Sequence, residues 1–127
     1  MISSLVVACS LLGAAEDVKL IEVEKQIIEQ TNKSRGSLPP LRVCPKLQAA
    51  ARSHAAWMAR SGKMQHGSHP GAAENIATGR TLPSVLRRWM NSKGHRANIL
   101  GSYTRIGVAA YRNPATGRIY WCQQFGR

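Results

Sequence analysis

Three side chains in this sequence have the types and spacing to do chemistry together: His66, Glu74 and His95. Two imidazoles converging with one carboxylate can bind a divalent cation such as Zn²⁺ and leave positions open for water or ligand. The carboxylate can ligate the ion, orient an imidazole from behind, or accept a proton from bound water. The same residues can equally be hydrogen-bonded scaffold, because His and Glu at such separations recur by chance. Glu74 stands out by its surroundings. Of six acidic residues, five (Glu16, Asp17, Glu22, Glu24, Glu29) precede residue 30, and from there onward Glu74 is the one carboxylate among sixteen Lys or Arg. A lone anion there is either part of a site or a counter-ion. Arg96, beside His95, is the rival partner, and a buried Glu–Arg pair would keep the carboxylate ionised. His69 offers a substitute for His66 in the short loop 66-HGSHPGAA-73. Ser92 lies three residues before His95, but a nucleophilic serine needs a base and an oxyanion hole that the sequence does not display.

The elements that must position these groups are legible in the hydrophobic pattern. Residues 17–34 read as an amphipathic helix, with Leu20, Val23, Ile27 and Thr31 at helical spacing and Gly36 and Pro39-Pro40 beyond its end. A second helix runs from about Pro45 to Arg60, with Pro45 in its first turn and Gly62 closing it. His54 falls on its inward side with Leu47 and Ala51 and reads as a core histidine, and Trp57, Trp89 and Trp121 read as core. Residues 62–80 are rich in Gly, His and Ser and read mainly as loop. Thr81 and Pro83 open a third helix with Leu82, Val85, Leu86 and Trp89 on its buried stripe. Gly94 is expected to end it and to aim His95 back at the loop. Asn75 and Asn98 are expected to bond loop backbone. Two strand-like runs, 106–112 and 118–125, flank the turn Asn113-Pro114-Ala115-Thr116-Gly117. The second contains IYWCQQF, apolar over four consecutive positions, which suits a strand covered on both faces. The expected fold is α+β, an α-β-α sandwich around a small antiparallel sheet.

The first fifteen residues carry no charge and include the apolar run Leu5 to Leu12, followed by Gly13-Ala14-Ala15. They read as a signal peptide, with residues 16–127 as one exported domain. Val6-Val7-Ala8-Cys9 offers lipidation at Cys9 as a second route, with Cys9 very early for it. Nothing approaches the ~20 apolar residues that span a bilayer. Removal of the leader would leave Cys44 and Cys122, an even count that suggests a disulfide in an exported domain. Net charge is +12, spread as single bases with Arg87-Arg88 the one adjacent pair. That pattern favours anionic envelope polymer or a lipid surface over a nucleic-acid tract.

At a further level the sequence resembles the CAP superfamily (cysteine-rich secretory, antigen five and pathogenesis-related proteins, also called the SCP domain) in its bacterial exported form. The matching pieces run from Thr31-Asn32…Arg35 and Gly36-Ser37-Leu38-Pro39-Pro40-Leu41 through Leu47…Ala50-Ala51…His54-Ala55…Met58-Ala59 to His66. Glu74-Asn75-Ile76-Ala77, the block Trp89 to Leu100, Ile106-Gly107-Val108 and Tyr120-Trp121…Gln124-Phe125-Gly126 complete the set. The resemblance implies an α-β-α sandwich whose cleft holds two His and, in eukaryotic members, two Glu. Carried over, these are His66, Glu74 and His95, with Ser92 at the position of the second Glu. One anion is therefore lost, and cation affinity is expected to be lower.

Two functions follow as expectations. One is a secreted, monomeric, non-enzymatic binding module at the cell envelope. Its cleft of His66, Glu74, Ser92, His95 and Arg96 would hold a divalent cation through His66 and His95, and its ligand would be an anionic, lipid or glycan component. The other is a metal-dependent hydrolase of peptide or wall substrates with Glu74 as general base and His66 and His95 holding the metal. The sequence has no HExxH motif and no third firm ligand.

Overall fold

The first helix begins later than its apolar pattern, and a carboxylate is the reason. In the computed structural model, which describes residues 18–68 and 71–127, α1 spans Glu22–Ser34. Glu24 folds back to accept the Ile21 backbone N–H at 3.1 Å, satisfying one of the amide donors a helix start leaves open. Arg52 binds the same carboxylate at 2.6 and 2.8 Å and also takes the Lys19 carbonyl, which keeps the preceding residues out of the helix. Ile27 and Thr31 face inward, both almost fully buried.

The short β1 (Arg42–Val43) leads into α2 (Pro45–Ser61). Gly62 closes α2 in the left-handed region at φ +71°. The buried face of α2 is built largely from Ala51, Ala55, Met58 and Ala59. Such small side chains let the helix axis approach a sheet closely. Residues 73–78, expected as loop, form β2 (Ala73–Thr78). Then come α3 (Leu82–Met90) and α4 (Lys93–Ile99), followed by β3 (Arg105–Arg112) and β4 (Ile119–Gly126). The hairpin between the last two is the expected one. The Asn113 side chain accepts the Ala115 and Thr116 amides, and Gly117 takes a positive φ.

The sheet order is β1-β3-β4-β2, with β1 parallel to β3 and the other pairs antiparallel. The sheet is therefore mixed rather than purely antiparallel. Residues 120–126 of β4 are buried without interruption because helices lie on both faces. Ile76, Ala109, Tyr120 and Cys122 pack against α2. Val108, Trp121 and Phe125 face the opposite way, toward Ile27 of α1, Val85, Leu86 and Trp89 of α3 and Ile99 of α4. The α-β-α sandwich holds.

The expected Cys44–Cys122 disulfide does not. Cys122 is a free, fully buried thiol. The register explains why: the Cys44 N–H bonds the Ile106 carbonyl, Ile106 lies opposite Phe125, and Cys122 lies opposite Ala109. Val43 pairs with Ile106, so Cys44 aligns with Gly107 and Gln124 beyond it; Cys122 is thus two residues along and two strands across, a displacement of roughly 12 Å from strand spacings that no disulfide spans. Burial, and then the nearby Glu74 carboxylate, push the Cys122 thiol well above the usual thiol range. Iodoacetamide at neutral pH should therefore leave Cys122 unmodified in the folded protein and label it in denaturant. Native labelling as fast as that of a free thiol, read by mass spectrometry, would contradict this placement.

Candidate functional site

The strand β2 lies at the sheet edge, and the site forms along it. Three of its outward carbonyls meet side chains from α3 and α4. Trp89 Nε1 donates to Ile76 O at 3.1 Å, Asn98 Nδ2 to Glu74 O at 3.4 Å, and Arg88 Nη2 to Thr78 O. These bonds fix the two short helices against the strand and leave a cleft of about 320 Å³. Met64, Ile76, Thr78, Trp89, Ser92 and His95 are among its lining residues.

Glu74 points to the α2 face of the sheet, and its carboxylate is well occupied. Oε1 accepts His66 Nδ1 at 2.8 Å and the Gly67 N–H at 3.0 Å, while Oε2 accepts Gln124 Nε2 at 3.1 Å. The Cys122 thiol lies 3.6 Å from Oε2. The Glu74 side chain is 6% exposed and that of His66 61%. A buried anion thus holds an exposed imidazole by one nitrogen. His54 supports the same loop from beneath, with Nε2 at 2.7 Å from the Gln65 carbonyl and its ring stacked on Trp57. The core reading of His54 stands, with the added role of anchoring the residue before His66.

His95 comes from the other side, by a route different from the expected one. The helix breaks before Gly94, at Asn91 and Ser92, where Ser92 takes an extended conformation as the N-cap of α4. Gly94 lies inside α4, and His95 is the third residue of that helix. Its Nδ1 is 2.8 Å from Ser92 Oγ, so the hydroxyl at the position of the absent second Glu orients the ring. Burial first, and the His66 charge second, hold the His95 imidazole below its ordinary pKa. His95 therefore stays neutral, with a lone pair free, to lower pH than an unperturbed histidine.

A buried polar chain secures this side. Gln123 Nε2 donates to Thr31 Oγ1 at 2.7 Å, Asn75 Nδ2 donates to both Gln123 Oε1 and the His95 carbonyl at 3.1 Å, and Asn98 Nδ2 donates to Asn75 Oδ1 at 2.9 Å. Asn75 and Asn98 therefore bond regular elements and each other rather than loop backbone. Gln123 and Gln124, neither singled out from the sequence, prove to hold the two sides of the site. Gln124 Oε1 is buried without a hydrogen-bond partner among the described residues.

The structure pairs His66 with Glu74 and His95 with Ser92, with Ser92 and His95 lining the cleft, and it leaves Arg96 outside. Arg96 is exposed and lines a separate groove of about 600 Å³ with Met90, Asn91, Lys93 and Leu100. It is not the counter-ion of Glu74. His69, the expected signal peptide and Cys9 lie outside the described residues. Among the described residues, no three His, Cys, Asp or Glu side chains are grouped to hold a metal, and no helix is long and apolar enough to cross a membrane.

The fold is a three-layer α-β-α sandwich, with His66 bound to Glu74 of the edge strand and His95 presented from α4. Residues 32–125 match the cysteine-rich secretory protein (CAP) family model, and the chain belongs to that family. It is 35% identical over 122 residues to the uncharacterized protein YkwD of Bacillus subtilis, covering 80% of this chain and 46% of that protein. The chain thus spans about half the length of this curated relative. Among solved structures, it is similar to an extracellular protein of Bacillus anthracis containing an SCP domain. The TM-score there is 0.67 at 26% identity, over 87% of this chain and 45% of that one. It also resembles in fold an outer surface protein of Borrelia burgdorferi, with a TM-score of 0.73 at 19% identity, over 81% and 90% of the two chains.

Proposed function

We propose that this protein is an exported, non-enzymatic binding module of the cell envelope whose histidine cleft takes a divalent cation. The observation that carries this reading is the occupation of Glu74. A general base needs a free lone pair aimed at its substrate. The Glu74 carboxylate instead receives His66, Gly67 and Gln124 and is nearly excluded from solvent. It orients an imidazole rather than activating water, which argues against the hydrolase alternative.

The donor set fits a loosely held cation. Each imidazole has Nδ1 engaged, one by a carboxylate and one by a hydroxyl, the arrangement that leaves Nε2 for a metal and fixes its direction. With two imidazoles, water or a bound ligand would complete the coordination shell. A cation there would polarise an oxygen of whatever ligand enters the cleft. The supports for export are the uncharged leader-like segment at residues 1–15 and the extracellular and outer-surface descriptions of the similar structures. The net positive charge suits an anionic envelope component, a lipid surface or a glycan as partner.

Calorimetric titration of Zn²⁺ tests the cleft. Saturable binding is expected in the wild type and its loss in His66→Ala and His95→Ala. Glu74→Gln should weaken binding by about 10–100-fold, as removal of an orienting partner does. Superimposable titrations for all four proteins would remove the cation from the reading. Hydrolysis of peptide or wall substrates that Glu74→Gln abolishes without unfolding would restore the hydrolase alternative.

A further inference from the structure

The arginine-rich groove at the base of the β3–β4 hairpin is separate from the histidine cleft. We propose that it binds the phosphate group of a phosphate ester. The groove, about 510 Å³, lies where the end of β2 meets the hairpin, and Arg80, Arg112 and Arg118 line it with Thr78 and Thr116. The sequence scatters these three arginines over nearly forty positions. The fold gathers them: Arg112 ends β3, Arg118 immediately precedes β4, and Arg80 follows β2.

Their charge is unanswered within the described chain. The two ion pairs there use Glu24 and Glu74, with Arg52 and His66 as partners, so no carboxylate pairs with Arg80, Arg112 or Arg118. Like charges gathered without a counter-ion repel one another, and a bound anion removes that repulsion. The hairpin turn that sets the spacing is ordered by its own bonds, with Asn113 Oδ1 accepting two amides and the Thr116 hydroxyl accepting the Arg118 N–H.

The donor geometry selects the anion. A carboxylate is satisfied by one guanidinium fork, whereas a phosphate presents several oxygens and up to two charges, which suits several forks from different directions. No aromatic side chain borders the groove, so it offers no ring platform for successive nucleobases and its donors favour the phosphate itself. Thr78 belongs to both this groove and the histidine cleft, so a ligand longer than its phosphate can continue along β2 toward His95.

The test is titration of inorganic phosphate and of glycerol 3-phosphate into the full chain, followed by amide chemical shifts or calorimetry at low and physiological salt. Saturable binding is expected, and the exposed double variant Arg80→Gln/Arg118→Gln should lower affinity by at least about 10-fold, from the loss of two charged hydrogen-bonding groups. A control with the same net charge, Lys93→Gln/Arg96→Gln in the other groove, should stay within about 2-fold of the wild type, since neither residue lines this groove, whereas a diffuse field alone would weaken both pairs alike. Absence of saturable binding, or equal weakening in the two double variants, would overturn the site. Vesicles of phosphatidylglycerol and phosphatidylcholine locate the source. Capture that is lost in Arg80→Gln/Arg118→Gln identifies a lipid headgroup, and binding of glycerol 3-phosphate without vesicle capture identifies a soluble phosphate ester. Zn²⁺ titration should be unchanged in that variant, which separates this groove from the cleft.

Discussion

Gly107→Ala should destabilise this domain by about 3 kcal/mol or more, the upper part of the range for an overpacked interior. Gly107 lies on β3 where the first turn of α2 rests directly on the strand. A methyl group there would sit 2.5 Å from the Gln48 backbone nitrogen and against the Leu47 carbonyl. Those are backbone atoms of a helix start and cannot rotate aside. Nor can the helix lift easily, because Gln48 is tied to the same strand. Its amide donates to the Val108 carbonyl at 2.7 Å and accepts the Val108 N–H at 2.8 Å. Thermal unfolding should show a melting temperature lower by at least about 10 °C for a domain of this size. Gly94→Ala supplies the contrast, since it meets nothing within 4 Å and lies in a helix, where alanine should stabilise by about 0.5–1 kcal/mol. A Gly107→Ala protein as stable as wild type would mean that α2 does not approach β3 this closely.

Arg35→Ala should cost a comparable amount, about 3 kcal/mol, through a different mechanism. Arg35 is 4% exposed, and its guanidinium binds carbonyls: Pro39 O through Nε and Nη2, and Ile99 O and Gly101 O through Nη1. It ties the end of α1 and the turn after it to the end of α4. Truncation leaves those carbonyls without their donor, and buried acceptors so exposed are costly. Arg35→Lys should recover only part of the loss, because an ammonium lacks the planar fork that reaches both sites at once. Since α4 carries His95, the alanine variant should also weaken the proposed Zn²⁺ binding even below its melting temperature. Chemical denaturation measures the first effect and calorimetry the second. Full rescue by lysine would show that charge alone matters at this position.

The helices were legible because their stripes and caps agree: Pro45 and Gly62 bracket α2, and Thr81 accepts the Ser84 N–H at 3.3 Å to open α3. The strand β2 was hidden because AENIAT puts a carboxylate and an amide among three apolar residues and a threonine, which gives no alternation to read. Its pattern makes sense only beside β4, where Glu74 meets Gln124 and Asn75 meets Gln123. The signal was present in the adjacent glutamines of IYWCQQF. Two amides in a strand buried on both faces each require a polar partner, one on each side. The association of His66 with Glu74 was legible, whereas Arg96 was misplaced because the helix break at Ser92 rotates it outward. The cysteine pairing failed for want of register, which composition cannot supply.

The adjacency of Glu74 and Asn75 has a consequence for how the chain finds its fold. Side chains alternate across a sheet, so a slip of β2 by one residue along β4 would exchange these two groups between faces. The carboxylate would land among Thr31, Gln123 and Asn98 without its histidine, and the amide would face Cys122 and Gln124 with no charge to hold the 66–67 loop. Small residues such as Ala73 and Ala77 oppose such a slip only weakly, because little hydrophobic burial changes with them. The two polar residues that hold His66 and the His95 backbone are thus also the alignment marks of the edge strand, and a misaligned chain loses both contacts at once.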